Sequence, residues 1–197
     1  MSFYGDVRTI NKRPDGGVDY NEAVRNIANE LEQFANLPLS TSWNNEVNCF
    51  SGKYVSNGLN LYYIVFERSI WVKQIKNNPN VAVSYMSRQI RGKARILGNP
   101  YQPKYGWLVD KYKIRHLHYI EALKNFSGIT VIEVVPTFIT IFEVTKDNPL
   151  DWTAVHIDIE KEKAFWTSAW DSPMMSPHKK TVTSIGFYIL FPILKAW

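Results

Sequence analysis

Ser69 is followed by Ile70-Trp71-Val72-Lys73-Gln74-Ile75-Lys76, and the run closes on Asn77-Asn78-Pro79. A hydroxyl residue where a strand hands over to a short helix can cap that helix. The free N–H groups of its first turn, helped by the helix dipole, then make an anion site. Lys73 and Lys76 add positive charge from the same helix. Arg91, Lys93 and Arg95 alternate along the segment that follows, so they share one face of a strand. These residue types in this order suit the binding of a phosphate. Residue types alone leave an equal alternative, a solvated lysine helix beside an exposed basic strand.

Other chemistries find less support. The chain has no glycine-rich dinucleotide fingerprint, no phosphate loop with Gly-Lys-Ser/Thr, no nucleophile elbow and no His-Glu-x-x-His. His116-Leu117-His118 could offer two metal ligands, but helical positions two apart do not face each other. Two exposed helix histidines are the expectation there, and no metal site is assigned. Cys49 is the single cysteine; a nucleophile would need a paired histidine, and a half-buried strand cysteine is the simpler reading. One cysteine allows no disulfide within the chain, which suits a reducing compartment. No catalytic residue is singled out.

The 197 residues carry a net charge of +5 and are 45% hydrophobic and 14% aromatic. This is an ordinary globular composition, with a mildly cationic surface rather than a nucleic-acid-binding one. The start, Met1-Ser2-Phe3-Tyr4-Gly5-Asp6, lacks the apolar core of a signal peptide. Ile185–Leu194 is apolar but interrupted by Pro192, and is far short of the ~20 residues that span a bilayer. A cytoplasmic location is expected, with that tail packed on the barrel or a dimer partner.

The elements that must position the anion site follow from periodicity. Tyr20 to Asn36 reads as an amphipathic helix with Asp19 as its N-cap. From Leu37 the period becomes two. Strands run from Leu37 to Trp43, from Val47 to Val55 and from Leu59 to Phe66, with turns at Asn44-Asn45-Glu46 and Ser56-Asn57-Gly58. After the Ser69 helix, Val81–Met86 and Gln89–Leu97 form a hairpin. Ile90, Gly92, Ala94 and Ile96 pack, while Arg91, Lys93 and Arg95 face out. Helical pattern covers 106–112 and 114–126. Thr130 to Val144 is strand, broken or bent at Pro136. Val155–Glu160 alternates like a strand, and 161–184 reads as loop. The expected fold is mainly β (α+β): a six-stranded antiparallel barrel with peripheral helices.

Residues 20 to about 144 resemble the pyridoxamine 5′-phosphate oxidase-like family of FMN-binding split barrels. Three features carry the resemblance. A leading helix precedes Leu39-Ser40-Thr41. An aromatic third strand leads into Ser69-x-Trp71-x-x-x-Ile75-x-x-Asn78-Pro79-x-Val81. Gly92-Lys93-Ala94 follows. The departures are Trp71 where the family often has lysine, a second strand without the oxidase's leading arginine, and no match to its C-terminal Trp and Arg segment, so the vitamin-pathway oxidase itself is not implied.

The resemblance implies a six-stranded split barrel at 19–146, between an N-terminal arm (1–18) and a C-terminal extension (147–197). It implies a homodimer with FMN at the subunit interface. Carried over by position, the cofactor-binding residues are Asn48, Cys49, Phe50, Lys53, Ile64, Val65, Ser69, Ile70, Trp71, Lys73 and Gln89. The implied function is an oxidoreductase that passes hydride or electrons to a small molecule. Alternatives are an F420- or haem-binding relative, or a non-catalytic flavin- or nucleic-acid-binding protein.

Overall fold

Strand periodicity of two dominates residues 36–98, and the barrel follows from it. The computed structural model describes residues 17–144 and 152–168. In chain order the elements are α1 (Tyr20–Leu31), β1 (Asn36–Trp43), β2 (Glu46–Asn57), β3 (Asn60–Phe66), α2 (Ile70–Asn77), β4 (Asn80–Tyr85), β5 (Arg88–Gly98), a single 3-10 turn (Pro103–Tyr105), α3 (Gly106–Leu123), β6 (Ile129–Val144), β7 (Trp152–Asp158) and β8 (Lys163–Ser168). The sheet order is β3-β2-β1-β4-β5-β6-β7-β8, and β3 also pairs with β6. That extra pairing closes six antiparallel strands into a barrel and leaves β7 and β8 as an extension of the sheet. Residues 1–16, 145–151 and 169–197, which include most of the expected arm and the apolar tail, lie outside the described residues.

The barrel interior holds Leu37, Leu39, Tyr54, Leu61, Tyr63, Val83, Ile90, Ile132 and Val134, all buried. Alternation puts their neighbours outside, as for Arg91, Lys93 and Arg95 between buried Ile90, Gly92 and Ala94. The hairpin between β1 and β2 turns on Asn44 and Asn45, both at positive φ (52° and 63°), which asparagine tolerates best among residues with a side chain. α1 is capped by Asp19, whose carboxylate accepts from the Glu22 amide at 2.9 Å. It seals one end of the barrel with Ala23, Ile27 and Leu31.

Four expectations need correction. α1 stops at Leu31 rather than Asn36. Beyond it Phe34 turns in against the Tyr85 ring (centroids 5.0 Å apart), and Asn36 is already paired with Lys53 in the sheet. The loop expected from 161 onwards contains β8, which pairs with β7 from Lys163 to Ser168; its six residues are too few for periodicity to reveal. Residues 106–123 form one helix, bent at His116 (φ −142°, ψ 46°) rather than broken into two. The bend turns His116 inward, so it is buried and not exposed, and its Nε2–H donates to the Tyr54 carbonyl at 2.9 Å.

Candidate functional site

The barrel is split between β2 and β3. β2 pairs with β1 along Glu46–Lys53, but with β3 only along Tyr54–Asn57. Had the β2–β3 ladder continued, Lys53 would oppose Ile64 and Gly52 would oppose Val65. Instead the two strands part there, and β3 goes on with β6 as its partner, from Leu61 to Phe66. The edges of β2 and β3 that would have faced each other are therefore left without a strand partner. Backbone amides and carbonyls so exposed are strong hydrogen-bonding groups in need of partners.

Two tyrosines of α3 fill part of the gap. The Tyr112 hydroxyl donates to the Lys53 carbonyl at 3.0 Å and to the Tyr62 carbonyl at 2.9 Å. The Tyr119 hydroxyl donates to the Ile64 carbonyl at 2.8 Å. Burial holds both phenols above their ordinary pKa, so they stay protonated donors. The Ile64 side chain is buried beneath α3, and the Val65 side chain lies in the barrel core. Neither side chain is therefore free to serve a ligand.

α2 begins beside the split. Ser69 is its N-cap, with extended backbone and its hydroxyl 3.4 Å from the Val72 amide. Ile70 and Trp71 are the first two helical residues, whose N–H groups precede the first intrahelical acceptor. The first turn holds no acidic residue. Ser69 is half-buried, and Ile70 and Lys73 are exposed. Lys73 Nζ sits 5.5 Å from the centre of the Trp43 ring. The far side of α2 is anchored by Gln74, whose buried side chain accepts from the Thr41 hydroxyl (2.6 Å) and donates to the Glu46 carbonyl (3.1 Å).

Trp71, the departure from the family pattern, has a structural task. Its ring leans against Phe50, with centroids 4.1 Å apart and planes 36° to each other, and Phe50 meets Tyr63 edge-on at 5.9 Å. Gly52 makes the room, because a Cβ there would lie 2.6 Å from Phe50 Cε2. Phe50 and Trp71 thus line the split from within, while Cys49 is exposed on the other side of β2 rather than half-buried.

The structure thus brings Phe50 of β2 against Trp71 of α2 and parts Lys53 from Ile64 near the start of that helix. Gln89 lies elsewhere. It pairs with Thr140 on β6, whereas Phe66, at the threshold of α2, pairs with Ile129. Those two points are separated by roughly 35 Å of extended chain. The Gln89 Oε1 atom is buried and has no hydrogen-bond partner among the described residues.

The basic strand does not converge on Ser69 as a block. Arg95 is tied to Glu133, which also accepts from the Tyr62 hydroxyl (2.9 Å) and Asn60 Nδ2 (3.2 Å). Burial alone would raise the Glu133 pKa, but these donors together hold it below the ordinary carboxylate value. Arg91 instead lies over the Phe138 ring at 4.4 Å. It helps line an open groove of about 640 Å³ on the outer face of β1, β4, β5 and β6, and none of the eleven carried-over residues lines that groove. No cluster of three or more metal-ligating side chains occurs among the described residues, and no described helix is long and apolar enough to cross a membrane.

No protein-family model matches this chain, and no curated protein matches it. Solved structures do resemble it. The chain is similar to Campylobacter jejuni ChuZ, at 18% identity over 80% of this chain and 67% of that one, with a TM-score of 0.58. It is also similar to a Clostridium acetobutylicum protein related to general stress protein 26 of B. subtilis, of the pyridoxinephosphate oxidase family. There the identity is 15% over 74% of this chain and 99% of that one, with a TM-score of 0.52. Likeness at such identities is a likeness of fold, and the fold is that of the pyridoxamine 5′-phosphate oxidase-like split barrels.

Proposed function

We propose that this chain is an FMN-binding split-barrel flavoprotein that acts as an oxidoreductase on a small molecule. The observation that carries the reading is the parting of β2 from β3 directly beside the Ser69-capped start of α2. The residues present fit the group. A phosphate would be held by the Ser69 hydroxyl, the Ile70 and Trp71 amides and the Lys73 ammonium. The planar ring would take hydrogen bonds from the open backbone edges of Asn48–Lys53 and Ile64–Val65. When bound, the flavin would supply the redox chemistry.

The chain's own contribution is binding and shielding. The Phe50 and Trp71 rings exclude water from the barrel side of the opening. Tyr112 and Tyr119 fix the spacing of the split by holding the Lys53 and Ile64 carbonyls. Gln89 joins the site only if a second copy of the chain delivers it, so a homodimer is part of the proposal.

The test is the chromophore of the purified protein. FMN released in equal molar amount to protein, with bound NAD(P)H-reducible flavin absorbance, is the expected outcome. A colourless protein that neither retains nor quenches added FMN would overturn the assignment.

A further inference from the structure

The groove on the outer sheet face has the makings of a second site. Its position is set by a β-bulge. Arg91 pairs with Phe138 but Gly92 pairs with Pro136, so Thr137 is the extra residue on β6. Bulges re-aim side chains and occur often beside binding sites. Here Gly92 permits the bulge, since a Cβ at that position would lie 2.5 Å from the Val135 carbonyl oxygen. Thr137 is pinned on both sides: its hydroxyl donates to the Arg91 carbonyl (3.3 Å), and its own carbonyl accepts from the Ile159 amide (3.0 Å). The result is an Arg91 guanidinium carbon 4.4 Å from the centre of the Phe138 ring, at the groove wall.

That guanidinium is unspent. Arg88 and Arg95 on the same strand are paired with Glu30 and Glu133, but Arg91 has no carboxylate within 4 Å among the described residues. The nearest acidic residues lining the groove are Asp158 and Glu160. Asp158 is already engaged by Lys161, through its ammonium at 2.9 Å and its amide at 3.1 Å. The hydroxyls of Ser40 and Ser42 and the amide of Asn80 add polar groups, while Ala82 and Phe138 supply apolar surface. A volume of about 640 Å³ lies within the range of small-molecule sites.

We propose that this groove binds a small organic monocarboxylate with a planar apolar body, its carboxylate received by Arg91. The contact with Phe138 restrains the Arg91 side chain, and the planar fork of guanidinium N–H groups matches the two oxygens of a carboxylate. Glu160 at the rim repels a second negative charge, so a monoanion is preferred over inorganic phosphate at neutral pH. None of the residues lining the groove is assigned to the flavin, although Gln89 stands two positions from Arg91 on the same outward face of β5.

The test uses the full-length protein, isotopically labelled, with sodium benzoate as the probe and sodium chloride at equal ionic strength as the control. Benzoate is expected to shift the Arg91 Nε–H signal and the Ala82 and Gly92 amides saturably. Arg91→Gln should weaken that binding tenfold or more without lowering the melting temperature, and Ala82→Leu, which crowds the groove but leaves the charge, should weaken it as well. Glu160→Gln should strengthen the binding of inorganic phosphate severalfold. Shifts that do not saturate, that centre on other residues, or that persist unchanged in Arg91→Gln would overturn the proposal. Yellow colour and flavin content should be the same in all these variants, so their loss would report on the flavin reading and not on this one.

Discussion

Ser69 and Lys73 illustrate how few side chains the candidate site needs. The opening between β2 and β3 is built mainly of backbone, and the side chains of Ile64 and Val65 face away from it into two cores. Specific charge therefore falls on the start of α2. Replacing Ser69 and Lys73 together by Ala is expected to weaken FMN binding about tenfold or more, the equivalent of about 1.4 kcal/mol, with fluorescence quenching of titrated FMN as the measurement. Gly92 makes a different kind of residue-scale claim. Its backbone neighbours at 2.5 and 3.1 Å cannot move aside as a flexible side chain would. Gly92→Ala should cost about 1–3 kcal/mol in urea unfolding, and should disturb the bulge that orients Arg91.

Among the elements, α3 is the least predictable and the most consequential. Its apolar positions follow no clean helical stripe, because the bend at His116 rotates one half against the other. Leu117 is exposed as a result, while Ile120 and Leu123 are buried. What the helix gives the fold is a set of ring and hydroxyl contacts. Leu108, Tyr112 and Ile120 cover Val55, Ile64 and Val131 on the outer barrel, and Tyr112 and Tyr119 reach the strand carbonyls. α1 was easier to read, from its Asp19 cap and amphipathic period. Asp19→Ala should destabilise the protein by about 1 kcal/mol, seen as a lower urea midpoint with an unchanged slope.

At the scale of the whole molecule, the sheet extension β7–β8 buries a histidine. His156 is fully buried between the Phe138 and Phe165 rings (centroids at 5.6 and 5.1 Å). Its ring nitrogens lie 3.1 Å from the Thr140 hydroxyl and 2.8 Å from the Thr167 hydroxyl. Burial, and secondarily the nearby Arg91 charge, lower its pKa to about 4. The unfolded chain, with an ordinary imidazole near pH 6.5, binds a proton over the window that the folded chain refuses. Stability contributed by this residue is therefore complete above about pH 6.5 and is lost as pH falls towards 4. His116 is lowered in the same direction by burial. Urea midpoints measured from pH 7 to pH 4.5 should fall, and His156→Gln should flatten that decline relative to the parent protein.

The sequence by itself determined the barrel strands, their inward and outward faces, the two caps at Asp19 and Ser69, and the Asn-Asn hairpin. All of these are local consequences of side-chain period, φ preference and hydrogen-bonding type, and they are printed in consecutive residues. Through resemblance it also supplied the expectation of which segments gather around Ser69, which enters the proposed function. Tertiary structure alone decided the rest. Closure through β3–β6 joins residues 60 or more positions apart, β8 exists only because β7 offers it an edge, and the parting of β2 from β3 is a missing ladder that no residue type announces. The Arg91 groove belongs to the same class: alternation exposes the arginine, but its place on Phe138 arises from a register shift across two strands, and registers between distant segments are set by the packing of the whole.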